Sequence, residues 1–168
     1  MAAYLILDGY NLIGALDRYA ERRTGSFDAS RELLVNDALK AAGWTGREII
    51  LVFDAHRSPE PARVEPLAGG AVRVIYSAPG ESADDVIERL LDRPEDRPTV
   101  YTADFALQRT ALARGATRAT PREFADLVDE LPALTRYPEL RRRSNLGDRL
   151  TPEVRRKLEE IRRKAGGA

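Results

Sequence analysis

Short apolar runs alternate with helical patterns along most of this chain, and the alternation restricts the possible folds more than any other feature. The runs cover residues 4–7, 48–53, 72–76, 99–102 and 116–119. Helical patterns separate them and begin near Leu12, Asp28, Ser82, Ala106 and Pro121. Strands that alternate with helices form a parallel sheet with helices on both faces. We therefore predict an α/β fold around a central, mostly parallel sheet of about five strands.

Glycine and proline mark the boundaries of these elements. Gly43 is expected to end the helix that opens near Asp28, and the capping-box sequence over residues 120–123, with Pro121 at the first helical position, predicts a helix start. Residues 56–70 hold three prolines and two glycines and show no apolar period. We predict that this segment is a surface loop of the kind that borders binding sites.

The formal net charge of zero hides two segments of opposite sign. Residues 1–135 hold 16 Lys and Arg against 22 Asp and Glu, whereas residues 136–168 hold 11 against 5. The sequence therefore predicts an acidic domain over residues 1–135 and a basic linker with a C-terminal helix over residues 136–168. A charged helix with an apolar stripe can simply dock on its own domain. We favour RNA binding for this segment, because its cations suit phosphate contacts.

Residue counts exclude several kinds of site. The chain has no cysteine and one histidine, His56, so disulfides, thiolate zinc sites and clusters of histidine ligands are impossible. The first apolar run is too short for a signal peptide, and no stretch approaches the ~20 apolar residues that span a bilayer. We expect a cytoplasmic protein with no membrane partner.

Aspartates recur where the predicted strands end. Asp8, Asp54 and Asp104 lie at or just past strand ends, while Asp84 and Asp85 lie in the first turn of a helix. Ligands of parallel α/β sheets bind at this edge, and oxygen ligands without His or Cys favour Mg²⁺ or Mn²⁺. Each aspartate could equally be a helix cap, so both interpretations stay open.

Four segments carry a resemblance to a known family. Residues 5–14, which read LILDGYNLIG, resemble the opening motif of NYN-domain nucleases in the PIN-like superfamily. The later segments Val52-Phe53-Asp54-Ala55, Glu81-Ser82-Ala83-Asp84-Asp85 and Thr102-Ala103-Asp104 are similar to motifs of its YacP-like branch. The match runs in order from Tyr4 to about Val128. It implies a PIN-like three-layer α/β/α fold and metal-dependent endoribonuclease activity.

The resemblance also implies roles for individual residues. Asp8, Asp84 and Asp104 match the acidic metal-binding positions, and Asn11 matches the polar residue beside the first of them. Asp54 matches a frequent additional acid, and Asp85 ranks below Asp84. Ala103 stands where the family often has serine, which removes a hydroxyl contact. Because the branch includes a ribosome-associated endoribonuclease that cuts messenger RNA during translation, RNA is the expected partner and the ribosome a further candidate.

Five other residues are candidates for substrate contact: Arg57, Ser82, Arg141, Arg142 and Arg143. Arg57 follows His56 in the predicted loop, where a solvated polar pair is the simpler interpretation. Ser82 could contact phosphate or cap its helix. A non-catalytic RNA- or ribosome-binding adaptor on the same scaffold remains the alternative function. A haloacid-dehalogenase-like phosphatase fits poorly, because Tyr10 stands where its second carboxylate would be.

Overall fold

The computed structural model describes residues 4–22, 27–55, 61–93 and 96–131. Within these residues the strands are β1 (Leu5–Asp8), β2 (Ile49–Phe53), β3 (Arg63–Leu67), β4 (Val72–Tyr76), β5 (Thr99–Tyr101) and β6 (Thr117–Ala119). The α-helices are α1 (Gly9–Ala15), α2 (Phe27–Thr45), α3 (Ala83–Leu91), α4 (Phe105–Ala113) and α5 (Pro121–Asp129). Two 3-10 helices cover Asp17–Arg22 and Ala68–Gly70. The predicted α/β class is confirmed.

The described strands form one six-stranded sheet in the order β3-β4-β2-β1-β5-β6. All neighbouring pairs are parallel except β3 with β4, which is antiparallel. The sheet therefore has one strand more than the predicted five. The prediction of a loop over residues 56–70 was wrong for β3. The residues of this strand are mostly exposed and include Pro66, so they show no apolar period that would predict a strand. Proline is tolerated there because β3 lies at the sheet edge.

Two further boundaries differ from the predictions. The first helical pattern continues beyond Ala15 only as a 3-10 helix, because Leu16 has extended backbone angles. Helix α2 runs two residues past Gly43, to Thr45, and Gly46 follows it with a φ of 66°. The left-handed conformation that favours glycine is therefore used at Gly46 instead.

Alternate residues of the central strands face two separate apolar cores. In β2, Ile49, Leu51 and Phe53 pack against α1, α2 and α5, whereas Ile50 and Val52 pack against α3 and α4. All five residues are buried, as expected of a parallel strand that is covered on both faces. The result is three layers, with helices on each side of the sheet.

The chain leaves β1 and β5 toward opposite faces of the sheet. These strands are adjacent, yet α1 packs in one layer and α4 packs in the other. Such a switch of direction opens a crevice at the carboxyl ends of the two strands, where α/β proteins commonly bind ligands. The topology therefore draws attention to the residues that follow β1 and β5.

The predicted boundary at residues 135 and 136 and the predicted basic C-terminal helix lie outside the described residues. Over the described residues, no helix is both long enough and apolar enough to cross a membrane.

Candidate functional site

Asp8 ends β1 in the crevice between the two helical layers. Its side chain is only 6% exposed, and it makes no capping hydrogen bond to α1, which begins at the next residue. A side chain at Gly9 would clash, because a Cβ there would lie 2.5 Å from the Phe53 ring and 2.8 Å from the Val52 carbonyl oxygen. The Asp-Gly pair thus holds α1 close to β2 and leaves the Asp8 carboxylate in the crevice rather than on a helix cap.

The hydroxyl of Thr102 joins the ends of β1 and β5. Its Oγ1 donates to Asp8 Oδ2 at 2.9 Å and accepts from the Asp104 backbone N–H at 3.1 Å. Thr102 is fully buried, and the Gln108 side-chain amide donates to its carbonyl at 2.7 Å. Thr102 was not among the predicted site residues, although its place directly after a strand and two residues before Asp104 was a usable signal.

Asn11 forms a second link across the same crevice. Its Oδ1 accepts a hydrogen bond from the Ala103 backbone N–H at 2.7 Å. Asn11 is therefore brought beside Asp8 and the Asp104 turn, as its place in the DGYN motif suggested. Ala103 has no hydroxyl, but the neighbouring Thr102 supplies one to this turn.

Asp84 and Asp85 differ sharply although they are adjacent. Ser82 caps α3: its Oγ accepts from the Asp85 backbone N–H at 3.1 Å, and Asp85 Oδ2 accepts from the Ser82 backbone N–H at 2.9 Å. Asp84 takes no part in this capping box and is half-buried. The geometry therefore assigns Ser82 and Asp85 to the helix cap and leaves Asp84 for the crevice.

Asp104 has a mixed role. It caps α4 with Oδ1, which accepts from the backbone N–H groups of Ala106 and Leu107 at 2.7 and 3.1 Å. Both capping bonds go to Oδ1, so Oδ2 stays outside the cap. Asp54 follows β2 directly and is partly exposed. Because β2, β1 and β5 are neighbours in the sheet, Asp54, Asp8 and Asp104 follow three adjacent strands at one edge.

A buried serine connects Asp54 to the start of α3. The Ser77 hydroxyl accepts from the Ala55 backbone N–H at 2.8 Å and donates to the Glu81 carbonyl at 2.8 Å. Ser77 is 1% exposed and holds the residue after Asp54 next to the loop that leads to Asp84. This contact joins positions far apart in the chain, and the sequence carried no signal for it.

Burial and the charges of neighbouring acids raise the pKa values of two of the described site acids. The pKa of Asp8 is raised to about 6, mainly by burial. The charges of Asp84 and Asp104 contribute to this rise, and the hydrogen bond from Thr102 opposes it. Burial also raises the pKa of Asp84, followed by the charges of Asp104, Glu88, Asp85 and Asp54. By contrast, hydrogen bonds from Ser82 lower the pKa of Asp85. Crowded, desolvated carboxylates of this kind are stabilised by a cation.

The donor set suits a hard divalent cation. Among the described residues, no three acidic or histidine side chains lie close enough to enclose a metal ion by themselves. Mg²⁺ does not need such an enclosure, because it usually keeps several waters and is held by one or two carboxylates together with substrate phosphates. The oxygen-only residues and the raised pKa values of Asp8 and Asp84 fit that mode.

A cleft of about 650 Å³ borders the acidic edge on the side of α5. Ala103 lies on its wall, together with Arg18, Thr120 and Arg122, but the predicted metal-binding acids do not line it. Arg18 binds Asp129 across this cleft at 3.0 Å and Asp37 at 3.4 Å. The cleft therefore lies beside the carboxylates. Arg18 uses its ion pairs to hold the 3-10 helix Asp17–Arg22 against α5 and α2.

Arg57, Arg141, Arg142 and Arg143, together with His56, lie outside the described residues. Their suggested roles in substrate binding stay predictions.

Comparison with known proteins gives consistent matches over nearly the whole chain. The model of the YacP-like NYN domain family matches residues 5–163. The protein YacP of Bacillus subtilis (strain 168) is 30% identical over 168 residues, covering 95% of this chain and 96% of that protein. The crystal structure of Rae1 (YacP) from Bacillus subtilis has a TM-score of 0.65 at 26% identity, covering 96% of this chain and 80% of that chain.

A second crystal structure, of a point mutant of Rae1 (YacP) from Bacillus subtilis, agrees with the first. Its TM-score is 0.63 at 26% identity, and the match covers 97% of this chain and 83% of that one. The PIN-like three-layer arrangement that the sequence predicted is thereby confirmed.

Proposed function

The chain belongs to the YacP-like NYN domain family, and from this premise we propose that it is a metal-dependent endoribonuclease that hydrolyses RNA phosphodiester bonds. The family is of a nuclease type. The crevice residues lie in segments that resemble its motifs, which supports the proposal. The single observation that carries the proposal is the buried Asp8 carboxylate, whose pKa is raised to about 6 beside two other acids at the sheet switch point. A carboxylate kept in such an unfavourable environment suits a functional site.

In this proposal the chain's own residues hold and orient the reacting groups. One or two of the carboxylates of Asp8, Asp84 and Asp104 would bind Mg²⁺ or Mn²⁺ directly, and the others would bind it through its waters. Asp54 would be a further acid at the edge. When bound, the cation would lower the pKa of a water and neutralise charge on the phosphoryl oxygens. Through their hydrogen bonds, Thr102 and Asn11 would fix the position of Asp8 relative to the turn that contains Asp104. Asp85 would support the site only through the cap of α3.

The substrate follows from the family and from the site's charge. An acidic edge repels RNA until a cation compensates it, so substrate and cation should bind together. We extend the proposal to messenger RNA on the ribosome in the cytoplasm, because the YacP-like resemblance implies such a partner. The basic residues 136–168 would add phosphate contacts.

The proposal is tested by comparing wild type, Asp8→Asn and Asp85→Asn on single-stranded RNA and on ribosome-bound message, with Mg²⁺ or EDTA. The two substitutions change the same chemical group at a site acid and at a cap acid. We expect Asp8→Asn to reduce cleavage at least about a hundredfold, the effect of losing ~3 kcal/mol of transition-state stabilisation. Asp85→Asn should retain cleavage to within about threefold.

Equal cleavage by wild type and Asp8→Asn, or cleavage that persists in EDTA, would contradict the proposed site and mechanism. RNA binding without any cleavage by wild type would favour the adaptor instead.

A further inference from the structure

Phe105 is an exposed aromatic residue joined directly to Asp104. Its side chain is 80% exposed, the most of any large apolar side chain among the described residues. Single exposed apolar residues are common on protein surfaces, so exposure alone does not indicate a function. What distinguishes Phe105 is its place at the carboxyl end of β5, next to the acidic crevice.

The position of Phe105 at the start of α4 places it at the acidic edge of the sheet. It is the first residue of α4, and helical side chains tilt toward the helix N-terminus, which here lies at the carboxyl ends of the strands. Leu107, Gln108 and Ala111 form the buried stripe of α4, so Phe105 lies outside the stripe that packs on the sheet.

The other aromatic rings near this edge are already in contact with one another. Phe53 stacks on Tyr76 at a centroid distance of 5.6 Å, and the Arg63 guanidinium lies 4.8 Å from the Tyr76 ring centroid. Tyr10 packs edge-on against Phe53 at 5.1 Å. Among the described residues, no ring stacks on Phe105. Within the described residues, the Phe105 ring is therefore an exposed aromatic face at this edge that is open to stacking.

A cation lies one helical turn from this ring. Arg109 follows Phe105 by four residues, so the two side chains share a face of α4. Arg109 is exposed, and within the described part of the chain no carboxylate forms an ion pair with it. An aromatic face beside a cation matches a nucleotide, which offers a base to stack and a phosphate to bind.

We propose that Phe105 and Arg109 form a nucleotide subsite for single-stranded RNA, with an unpaired base stacked on Phe105 and its phosphate bound by Arg109. The inference deepens the proposed function and rests on it, since it places one nucleotide of the substrate beside Asp104. A base within a duplex cannot stack on a side chain without leaving its neighbours, so the subsite selects single strands.

Binding is measured in an Asp8→Asn background with Mg²⁺, so that RNA stays intact, using the anisotropy of a labelled single-stranded oligonucleotide. We expect Phe105→Ala and Phe105→Leu to weaken binding about tenfold or more, because stacking on an aromatic face is lost in both. Phe105→Trp should retain affinity. Leu112→Ala is the matched control: it removes another exposed apolar side chain from α4, and binding should not change.

A fluorescence measurement reports stacking directly. Trp44 is the single tryptophan of the chain, so Phe105→Trp combined with Trp44→Phe leaves only the introduced indole. Single-stranded RNA should quench this indole, whereas an indole introduced by Leu112→Trp in the Trp44→Phe protein should not be quenched. Arg109→Gln should weaken binding and reduce its salt dependence.

The outcomes separate this inference from the proposed function. If Phe105→Leu binds RNA as tightly as the unsubstituted background, or if duplex RNA competes equally well, the stacking subsite is contradicted while cleavage can stand. If wild type binds single-stranded RNA without cleaving it and Phe105→Ala weakens that binding, the subsite stands and the proposed cleavage does not. If Leu112→Ala is as damaging as Phe105→Ala, the face docks a broader apolar partner and the subsite is overturned.

Discussion

Helices α3 and α5 begin in the same way but carry opposite charges beside the cap. Ser82 with Asp85 and Thr120 with Glu123 form matching capping boxes, and hydrogen bonds in each box lower the pKa of the acid. The second helical residue differs, since α3 has Asp84 and α5 has Arg122. Arg122 is exposed and pairs with Asp126 on its own helix, at 3.4 Å. Asp84 instead faces other acids, and its pKa is raised.

The two helix starts distinguish carboxylates that stabilise the fold when ionised from carboxylates that destabilise it. A cap acid has its charge satisfied by backbone donors, so ionisation favours the native state. The ionised forms of Asp8 and Asp84 are disfavoured by burial and like charge, so ionisation opposes the native state. Acids that oppose folding are candidates for function, because a ligand can offset the unfavourable charge when it binds.

The largest expected effect is that Asp8→Asn and Asp85→Asn change the free energy of unfolding in opposite directions. At pH 7.5 without metal, Asp8→Asn should raise the free energy of unfolding by about 2 kcal/mol, since a rise in pKa from 3.8 to about 6 opposes folding by about 2–3 kcal/mol. Asp85→Asn should lower stability, because the cap loses its charge. Urea unfolding of the three proteins measures both effects.

The pH dependence of this difference follows from linkage. Between pH 3.8 and about 6, the native state holds a proton on Asp8 that the unfolded state has lost, so rising pH destabilises wild type relative to Asp8→Asn. The gain from Asp8→Asn should be absent below pH 3.8 and complete above about pH 6. If Asp8→Asn and Asp85→Asn changed the free energy of unfolding in the same direction at every pH, the distinction between site acids and cap acids would be contradicted.

A smaller effect tests how Asp8 is supported. Thr102→Val keeps the side-chain shape but removes the donor to Asp8 and the acceptor for the Asp104 N–H. If Thr102 acts as an outer support of the site, cleavage should fall about tenfold to a hundredfold and Thr102→Ser should restore it. The pKa of Asp8 should rise further, because the hydrogen bond that lowers it is gone.

Thr99→Val serves as the control, since it makes the same change at the opposite end of β5. A loss of cleavage as large as that of Thr102→Val would mean that β5 as a whole, rather than the Thr102 hydroxyl, supports the site.

Sequence patterns predicted the layers and the acidic edge but not the contacts that arrange it. Buried runs such as β2 are visible because both faces of a parallel strand are apolar. The edge strand β3 was missed, because its exposed residues and Pro66 carry no apolar period. Position alone did not separate Asp84 from Asp85 as cap or ligand, since both lie in a first turn, and only the family resemblance ranked Asp84 first. Thr102 and Ser77 act through hydrogen bonds that only the folded chain creates.

The most direct test of a metal-dependent crevice is the pKa of the Asp8 carboxyl group, followed by carboxyl carbon NMR with and without Mg²⁺. Without metal it should titrate near pH 6, and saturating Mg²⁺ should lower its pKa, because a bound cation favours the ionised form. Saturating Mg²⁺ should leave the pKa of the cap acid Asp85 unchanged. An Asp8 that titrates near 3.8 without metal, or one whose pKa does not respond to Mg²⁺, would contradict the assignment of this crevice as a metal-dependent site.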